Sequence, residues 1–118
     1  MVFGTPGGDV QIQAMAQLLL NVMSFGLDVQ SAIEAPRFAS FSFPSSFAPN
    51  PHNPGLLMVE GRIAENVRAA LRKLGHQVES WPERTRKAGA LCAIRIDDET
   101  GFLHAGADFR RAGYAMGR

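Results

Sequence analysis

The chain has 118 residues, of which 46% are hydrophobic and 19% are charged, a balance that argues against disorder. This length fits one domain, residues 1–118, with a buried core. Twelve basic residues against eleven acidic ones give a net charge of +1, so we expect neither nucleic acid nor an anionic membrane as a partner. No apolar run approaches the roughly 20 residues of a membrane-spanning helix.

The N-terminal third predicts a strand followed by a long helix. Residues 1–3 are apolar and stop at Gly4, which we interpret as the end of a strand that begins outside this sequence. Asp9 is a suitable N-cap for a helix over 10–26. We expect a wide apolar face of this helix to be buried. The apolar positions of that face are Met15, Leu18, Leu19, Val22 and Met23.

A short second helix is predicted at 29–35. Asp28 can cap its start, and Pro36 ends it because the residue before a proline avoids helical geometry. The stretch 38–55 contains four prolines and four phenylalanines, which indicates a short strand and then an ordered surface loop rather than a free linker.

An amphipathic helix is predicted at 63–74, between short strands at 56–60 and 78–81. Its apolar positions recur every three or four residues and Gly75 ends it, so we expect it to lie on a sheet. A hairpin is predicted next, with strands at 90–96 and 102–105 around a turn in which Gly101 takes the left-handed conformation.

Gly7 and Gly8 stand directly before the long helix. Two amides without side chains at the positive end of a helix can donate hydrogen bonds to a developing oxyanion or another anion. The alternative is a simple turn, because glycine pairs are common between a strand and a helix. The stretch is not a P-loop, since no Gly-Lys-Ser/Thr follows.

Other candidate residues favour structural roles. The three histidines, His52, His76 and His104, lie too far apart for metal-site spacing, so we expect no metal and no cofactor. Cys92 lies in an apolar strand and is interpreted as a small buried residue rather than a nucleophile.

Two groups of charged residues are also interpreted as structural. The basic residues Arg84, Arg86 and Lys87 are typical of a solvated loop, and contact with a substrate or partner is the lesser alternative. We expect Arg110 or Arg111 to bond Asp108 and fix the end of the chain.

Several segments together resemble the C-terminal part of the γ-glutamyltranspeptidase family, and their order and spacing run through nearly the whole chain. The segments are Gly4-Thr5-Pro6-Gly7-Gly8, Leu20-Asn21-Val22, Ala32-Ile33-Glu34-Ala35-Pro36-Arg37-Phe38, Leu74-Gly75-His76 and Gly106-Ala107-Asp108-Phe109-Arg110-Arg111. The resemblance is to the bacterial branch described as γ-glutamyltranspeptidase-like or acylase-like. The resemblance does not decide whether the protein lies in the bacterial cytoplasm or in the periplasm.

The resemblance implies an α/β (α+β) fold: part of the αββα sandwich of the N-terminal nucleophile hydrolases, mainly an antiparallel sheet with packed helices. In that family an N-terminal threonine attacks the γ-glutamyl amide of a donor such as glutathione, with its own amino group as base. By resemblance, Gly7 and Gly8 match the two glycines of the oxyanion hole.

The nucleophile and the residues that hold the glutamyl group lie upstream of this segment in the family. The resemblance therefore implies that this chain is a C-terminal segment, that its partner is the upstream part of the same enzyme, and that it is inactive alone. Thr5 cannot replace the nucleophile, because it is not terminal and lies beside the glycines rather than opposite them. Phe109 departs from the proline of the family's Asp-Pro-Arg segment.

Two alternatives remain open. The chain could be a non-catalytic α/β module that associates with itself through uncovered sheet edges, as a homo-oligomer. It could also belong to an acylase that acts on other amides, because one fold supports several amide donors.

Overall fold

The structure is a computed structural model that describes residues 1–117. Its elements, in chain order, are β1 (Val2–Gly4), α1 (Gln11–Met23), α2 (Val29–Glu34), β2 (Phe38–Ser40), β3 (Leu56–Val59), α3 (Glu65–Lys73), β4 (Gln77–Ser80), β5 (Cys92–Ile96) and β6 (Leu103–Ala107). Short 3-10 turns occupy Gly8–Val10 and Arg86–Ala88. In the described part of the chain, no helix is long and apolar enough to cross a bilayer.

The strands form two three-stranded sheets, with the orders β1-β5-β6 and β2-β3-β4. Within residues 1–117, β3–β4 is the only parallel pairing, and α3 is the crossover between these two strands; the other three pairings are antiparallel. A mixed fold with a mainly antiparallel sheet and packed helices is thus confirmed. The predicted hairpin is also confirmed, and Gly101 has a φ of 73° at its turn.

Helix α1 connects the cores of the two sheets. Leu18 and Val22 pack with α2 and with Ala93 of β5, whereas Ala14 packs with Ala39 of β2 in a second cluster that includes Trp81. The prediction of a wide buried face on α1 is wrong. Leu19 and Met23 are 42% and 68% exposed, so only the row formed by Ala14, Leu18 and Val22 is buried.

Three glutamine side chains act as substitutes for a neighbouring strand. Gln13 exchanges two hydrogen bonds with the backbone of Ser40, at 2.8 and 3.0 Å, and Gln17 does the same with Phe38, at 2.9 and 3.1 Å. Gln30 pairs in this way with Ala107 of β6 at 3.1 Å in both directions. The carboxamide has the donor and acceptor of a peptide group, so the helices cover the free edges of β2 and β6.

One further expectation needs correction. Cys92 is exposed rather than buried, because side chains alternate along β5 and only its neighbour Ala93 faces the helices. Helix α3 lies along β4 as predicted, but none of its residues is fully buried and Val67 remains 46% exposed. The predicted single domain, 1–118, stays a prediction, and Arg118 lies outside the described residues.

Candidate active site

The turn between β1 and α1 contains two backbone amides that donate no hydrogen bond among residues 1–117. Gly7 has a φ of 147° and Gly8 a φ of 58°, both in the region that favours glycine. The 3-10 turn of Gly8–Val10 then leads directly into α1. Among the hydrogen bonds of residues 1–117, neither the Gly7 nor the Gly8 amide donates one. The two N–H groups therefore stand free at the start of a 13-residue helix, where its dipole is positive.

Thr5 fixes this turn to the segment before β5. Its Oγ1 accepts a hydrogen bond from the Ala90 amide at 2.7 Å and donates one to the Pro6 carbonyl at 2.8 Å. A Cβ on Gly7 would lie 3.6 Å from the Gly89 Cα, so the two backbones are in contact. The Thr5 hydroxyl thus holds the turn in place.

The long loop after β2 covers the other side of the turn. A Cβ on Gly8 would lie 2.8 Å from Cε2 of Phe47, closer than real atoms approach. The loop is tied down by Asp9, which accepts hydrogen bonds from the Ser45 hydroxyl at 2.9 Å, from the Ser46 amide at 3.1 Å and from the Ser46 hydroxyl. Those bonds, led by that of the Ser46 hydroxyl, lower the pKa of Asp9. The prediction that Asp9 caps the helix is therefore wrong, because its carboxylate is used by the loop.

A groove of about 600 Å³ opens beside the Gly7–Gly8 turn. Its walls are mainly apolar, and the Phe41 and Trp81 rings meet edge to face with their centroids 6.2 Å apart. Phe47, Leu56 and Met58 contribute further apolar surface, whereas Lys87 and Arg111 are its basic lining residues. An apolar cleft with a few polar groups is the usual form of a small-molecule site.

A buried ionic network lies behind the turn. It consists of Arg37, Glu60, Asp108 and Arg110, each no more than 8% exposed. Arg110 binds both carboxylate oxygens of Glu60 at 2.6 Å, and Arg37 Nη2 meets Asp108 Oδ2 at 2.5 Å. A third ion pair joins Arg110 to Asp108 at 3.1 Å. The expected bond between Asp108 and an arginine of the tail is confirmed, with Arg110 as the donor.

The network holds the backbone on which the Gly7–Gly8 turn rests. Asp108 Oδ2 accepts from the Leu91 amide at 2.9 Å, and Arg37 Nη1 donates to the Ala88 carbonyl at 2.8 Å. Both bonds therefore fix residues 88–91, which include the Gly89 and Ala90 contacts of the turn. At the other end, both arginines donate to the Ile33 carbonyl near the end of α2, at 2.6 and 3.1 Å.

The electrostatics of the network favour charged carboxylates. Burial opposes ionisation of Glu60 and Asp108, but hydrogen bonds and the charges of Arg37 and Arg110 outweigh it, so the pKa of each carboxyl is below its ordinary value. Burial also lowers the pKa of Arg37, with the nearby Arg110 charge adding to that effect.

Phe109 has a defined place in the tail although it departs from the family pattern. Its ring lies 4.6 Å from the Arg84 guanidinium carbon, 5.0 Å from that of Arg110 and 5.6 Å from that of Arg62. These distances are within the range of cation–π contacts. Arg84, Arg86 and Lys87 are all exposed, as predicted for a solvated loop, and Arg84 in addition contacts the Phe109 ring.

Sequence reasoning missed two members of the network. Arg37 lies within one of the segments that carry the family resemblance, and Glu60 ends a predicted strand, but no periodicity in the sequence marks either residue as a buried charge. The histidines are not brought together, and residues 1–117 contain no group of three or more His, Cys, Asp or Glu residues that could hold a metal ion.

Comparison with solved structures defines the class of fold. The chain is similar to LmbA2991HD, with a TM-score of 0.89 and 43% sequence identity. The match covers 98% of this chain and 21% of the LmbA2991HD chain. Over 92% of its length it matches 18% of the cephalosporin acylase from Bacillus halodurans, with a TM-score of 0.77 and 29% identity. The elements described above therefore have the fold of the N-terminal nucleophile hydrolases of the γ-glutamyltranspeptidase and acylase type.

Sequence comparison then gives the family. The Gamma-glutamyltranspeptidase family model matches residues 1–118, and the chain belongs to this family. It is 32% identical to the glutathione hydrolase-like YwrD proenzyme of Bacillus subtilis and 32% identical to the oxamate amidohydrolase proenzyme of Klebsiella pneumoniae, in both cases over 99% of this chain. The chain spans 21% of the length of each of these relatives. The resemblance found in the sequence is confirmed.

Proposed function

We propose that this chain supplies the oxyanion hole to a γ-glutamyl transferase or hydrolase whose nucleophile lies in the upstream part of the same enzyme. One observation carries the proposal: the backbone amides of Gly7 and Gly8 donate no hydrogen bond among residues 1–117, and they lie before α1 beside an apolar groove. Family membership supports it, and so do the relatives, which are several times longer than this chain.

The proposed reaction is acyl transfer through a covalent intermediate. The hydroxyl of an upstream N-terminal threonine attacks the γ-glutamyl carbonyl and passes its proton to the threonine's own α-amino group. The negative charge that forms on the carbonyl oxygen is stabilised by the Gly7 and Gly8 amides. The amine leaves with that proton, and water or an acceptor amine then attacks the acyl-enzyme.

The direct test is hydrolysis of γ-glutamyl-p-nitroanilide by this chain alone and by its mixture with the upstream region bearing an N-terminal threonine. We expect release of p-nitroaniline only from the mixture. A folded complex without activity would contradict the γ-glutamyl assignment.

The oxyanion role predicts the effect of Gly8→Ala in the assembled enzyme. The added methyl group must displace Phe47 and strains a residue with a φ of 58°, so the Gly8 amide shifts. We expect kcat to fall about 100-fold, or about 3 kcal/mol of transition-state stabilisation. Gly26→Ala is the matched control, because Gly26 has a φ of 68° but open space around it and lies far along the chain. Equal turnover in the two variants would contradict the oxyanion role.

A second candidate is a related amide hydrolase with another acyl group. The oxamate amidohydrolase and the cephalosporin acylase among the matches favour this reading, because both names record amide substrates other than glutathione. Turnover of oxamate but not of the γ-glutamyl anilide would select it. The oxyanion role of Gly7 and Gly8 would be the same in either enzyme.

A third candidate is a non-catalytic module that self-associates. Large apolar side chains on and beside the β1-β5-β6 sheet support it, since Ile96, Phe102, Leu103, Tyr114 and Met116 are each more than half exposed. Sedimentation of a monodisperse monomer at high concentration would exclude it.

A further inference from the structure

The backbone pairing of β1 with β5 stops just before the glycine turn. The last antiparallel pair in this ladder is Gly4 with Cys92. Continued by two residues in each strand, the same register places Pro6 opposite Ala90. Pro6 has no amide hydrogen, so these two residues cannot exchange the two backbone hydrogen bonds of an ordinary antiparallel pair. The ladder therefore needs another group at this point.

The Thr5 hydroxyl is that group. Its Oγ1 accepts a hydrogen bond from the Ala90 amide at 2.7 Å and donates one to the Pro6 carbonyl at 2.8 Å. The hydroxyl thus lies between the donor and the acceptor that a continued ladder would join directly. The residues that follow Pro6 are Gly7 and Gly8, so this bridge is the start of the turn that carries the two amides.

Gly89 leaves the room that the hydroxyl occupies. A Cβ on this buried glycine would lie 2.7 Å from Thr5 Oγ1 and 3.4 Å from the Pro6 carbonyl oxygen, and the first distance is shorter than real Cβ atoms allow. Gly89 also has a φ of 88°, a conformation that favours glycine. Both segments are therefore shaped to admit one hydroxyl at this point.

The segment that the hydroxyl binds is itself held by the buried ionic network. Arg37 donates to the Ala88 carbonyl at 2.8 Å. Asp108 accepts from the Leu91 amide at 2.9 Å. The bond of the Thr5 hydroxyl to this fixed segment therefore determines where the turn lies. Such placement matters for catalysis, because a displacement of about 1 Å at a site can cost about 100-fold in rate.

We propose that Thr5 is a positioning residue for the oxyanion hole, and that its hydroxyl sets the direction of the Gly7 and Gly8 amides. The inference rests on the proposed function, in which those amides stabilise the charge of the transition state. This charge is absent from the bound substrate, so misdirected amides lower kcat and leave KM unchanged. A hydroxyl that only stabilised the fold would change neither constant in the folded protein.

The kinetic test removes and restores the hydroxyl in the assembled enzyme, at a temperature where circular dichroism shows every variant to be folded. We expect kcat for γ-glutamyl-p-nitroanilide to fall about tenfold in Thr5→Val, with KM unchanged. Thr5→Ala, which adds no bulk beside Gly89, should show the same loss, and Thr5→Ser should stay within about twofold of the wild type. An unchanged kcat without the hydroxyl, or a change confined to KM, would overturn the proposal.

Thr100→Val is the matched control for the loss of a hydroxyl. The Thr100 hydroxyl also donates one hydrogen bond and accepts one, to Asp97 and from the Phe102 amide, but it lies in the turn of the β5–β6 hairpin. We expect kcat to be unchanged in this variant. A fall equal to that of Thr5→Val would overturn the proposal.

A double-mutant cycle shows whether the hydroxyl acts through the amides. Gly8→Ala already displaces the oxyanion hole, so adding Thr5→Val to it should lower kcat by less than about threefold. A further loss as large as that in the wild-type background would place the effect of Thr5 elsewhere and overturn the proposal.

A spectroscopic measurement separates this inference from the proposed function. In the assembled enzyme, with this chain carrying ¹⁵N-labelled glycine, we expect the Gly7 and Gly8 amide signals to move in Thr5→Val and to stay in place in Thr5→Ser and Thr100→Val. Signals that do not move in Thr5→Val would overturn the positioning role at any level of activity. If the signals move as expected but the wild type releases no p-nitroaniline, the γ-glutamyl assignment alone fails.

Discussion

Glu60 is the residue on which the buried network depends most. It is fully buried, and its carboxylate accepts two short bonds from Arg110, one from the Arg37 amide at 2.9 Å and one from Arg62 at 3.3 Å. A buried ion pair is favourable only when such bonds replace the lost water. Each partner therefore needs the other, and removing one charge leaves the opposite charge buried.

We expect Glu60→Gln to destabilise the protein by about 3–5 kcal/mol, because Arg110 would lose the carboxylate that binds it at two points and would share the one remaining buried carboxylate, Asp108, with Arg37. Glu65→Gln is the control: Glu65 pairs with Arg72 at the surface, where such a pair is worth at most about 1 kcal/mol. Urea unfolding followed by circular dichroism measures both changes. A cost for Glu60→Gln no larger than that of the control would show that the network is not important for stability.

At the scale of elements, helices secure the sheet edges through side chains rather than through further strands. Gln13 and Gln17 lie one turn apart on α1 and pair with alternate residues of β2, Ser40 and Phe38. This spacing works because residues four apart share a helix face and residues two apart share a strand edge. The arrangement fixes where β2 lies, and the groove-lining loop starts at its end.

We expect Gln13→Leu to destabilise the protein by about 1–2 kcal/mol, because it removes both bonds to Ser40 while keeping a good helix former. Hydrogen exchange at the Ser40 amide should become faster in the same variant. Gln11→Leu serves as the comparison, since the Gln11 side chain makes no hydrogen bond within residues 1–117. Unchanged exchange at Ser40 would mean that the glutamine does not protect this edge.

For the whole molecule, the ionic network joins elements that are far apart in sequence. Glu60 follows β3, Arg37 follows α2, and Asp108 and Arg110 follow β6, so the four charges connect both sheets with the end of the chain. Their bonds to residues 88–91 also tie this connection to the Gly7–Gly8 turn. Protonation of the two carboxylates at acid pH therefore destabilises all the elements that the network joins.

The pKa shifts give the sign of this pH dependence. The folded protein lowers the pKa of Glu60 below 4.5 and that of Asp108 below 3.8, so it binds fewer protons than the unfolded chain in this range. The two carboxylates contribute their full stability when the pH is above their ordinary pKa values, which they have in the unfolded chain. This contribution is lost as the pH falls through the lowered pKa values of the folded protein. Thermal unfolding from pH 7 to pH 2 should show a plateau and then a decline below about pH 4.5. The decline should be shallower in Glu60→Gln, and an identical profile in that variant would refute the assignment.

Much of the fold could be predicted from local patterns. Each helix and the hairpin are marked by apolar periodicity and by glycine or proline at their ends, and these signals depend only on neighbours in the chain. The mistakes concern partners that are distant in sequence. Asp9 looked like a helix cap because no local feature shows the serines of the loop, and Cys92 looked buried because an apolar strand does not reveal which of its faces is covered.

The sequence by itself determined the family, the order of the elements and the glycine turn, because these depend on residue types at fixed spacing along the chain. Only the tertiary structure decided that Arg37 and Glu60 are buried and paired with Asp108 and Arg110, and that Phe47 covers Gly8. The physical reason is that burial and pairing are properties of contacts between distant segments. Such contacts exist only once the chain has folded, and the oxyanion role proposed for Gly7 and Gly8 depends on them.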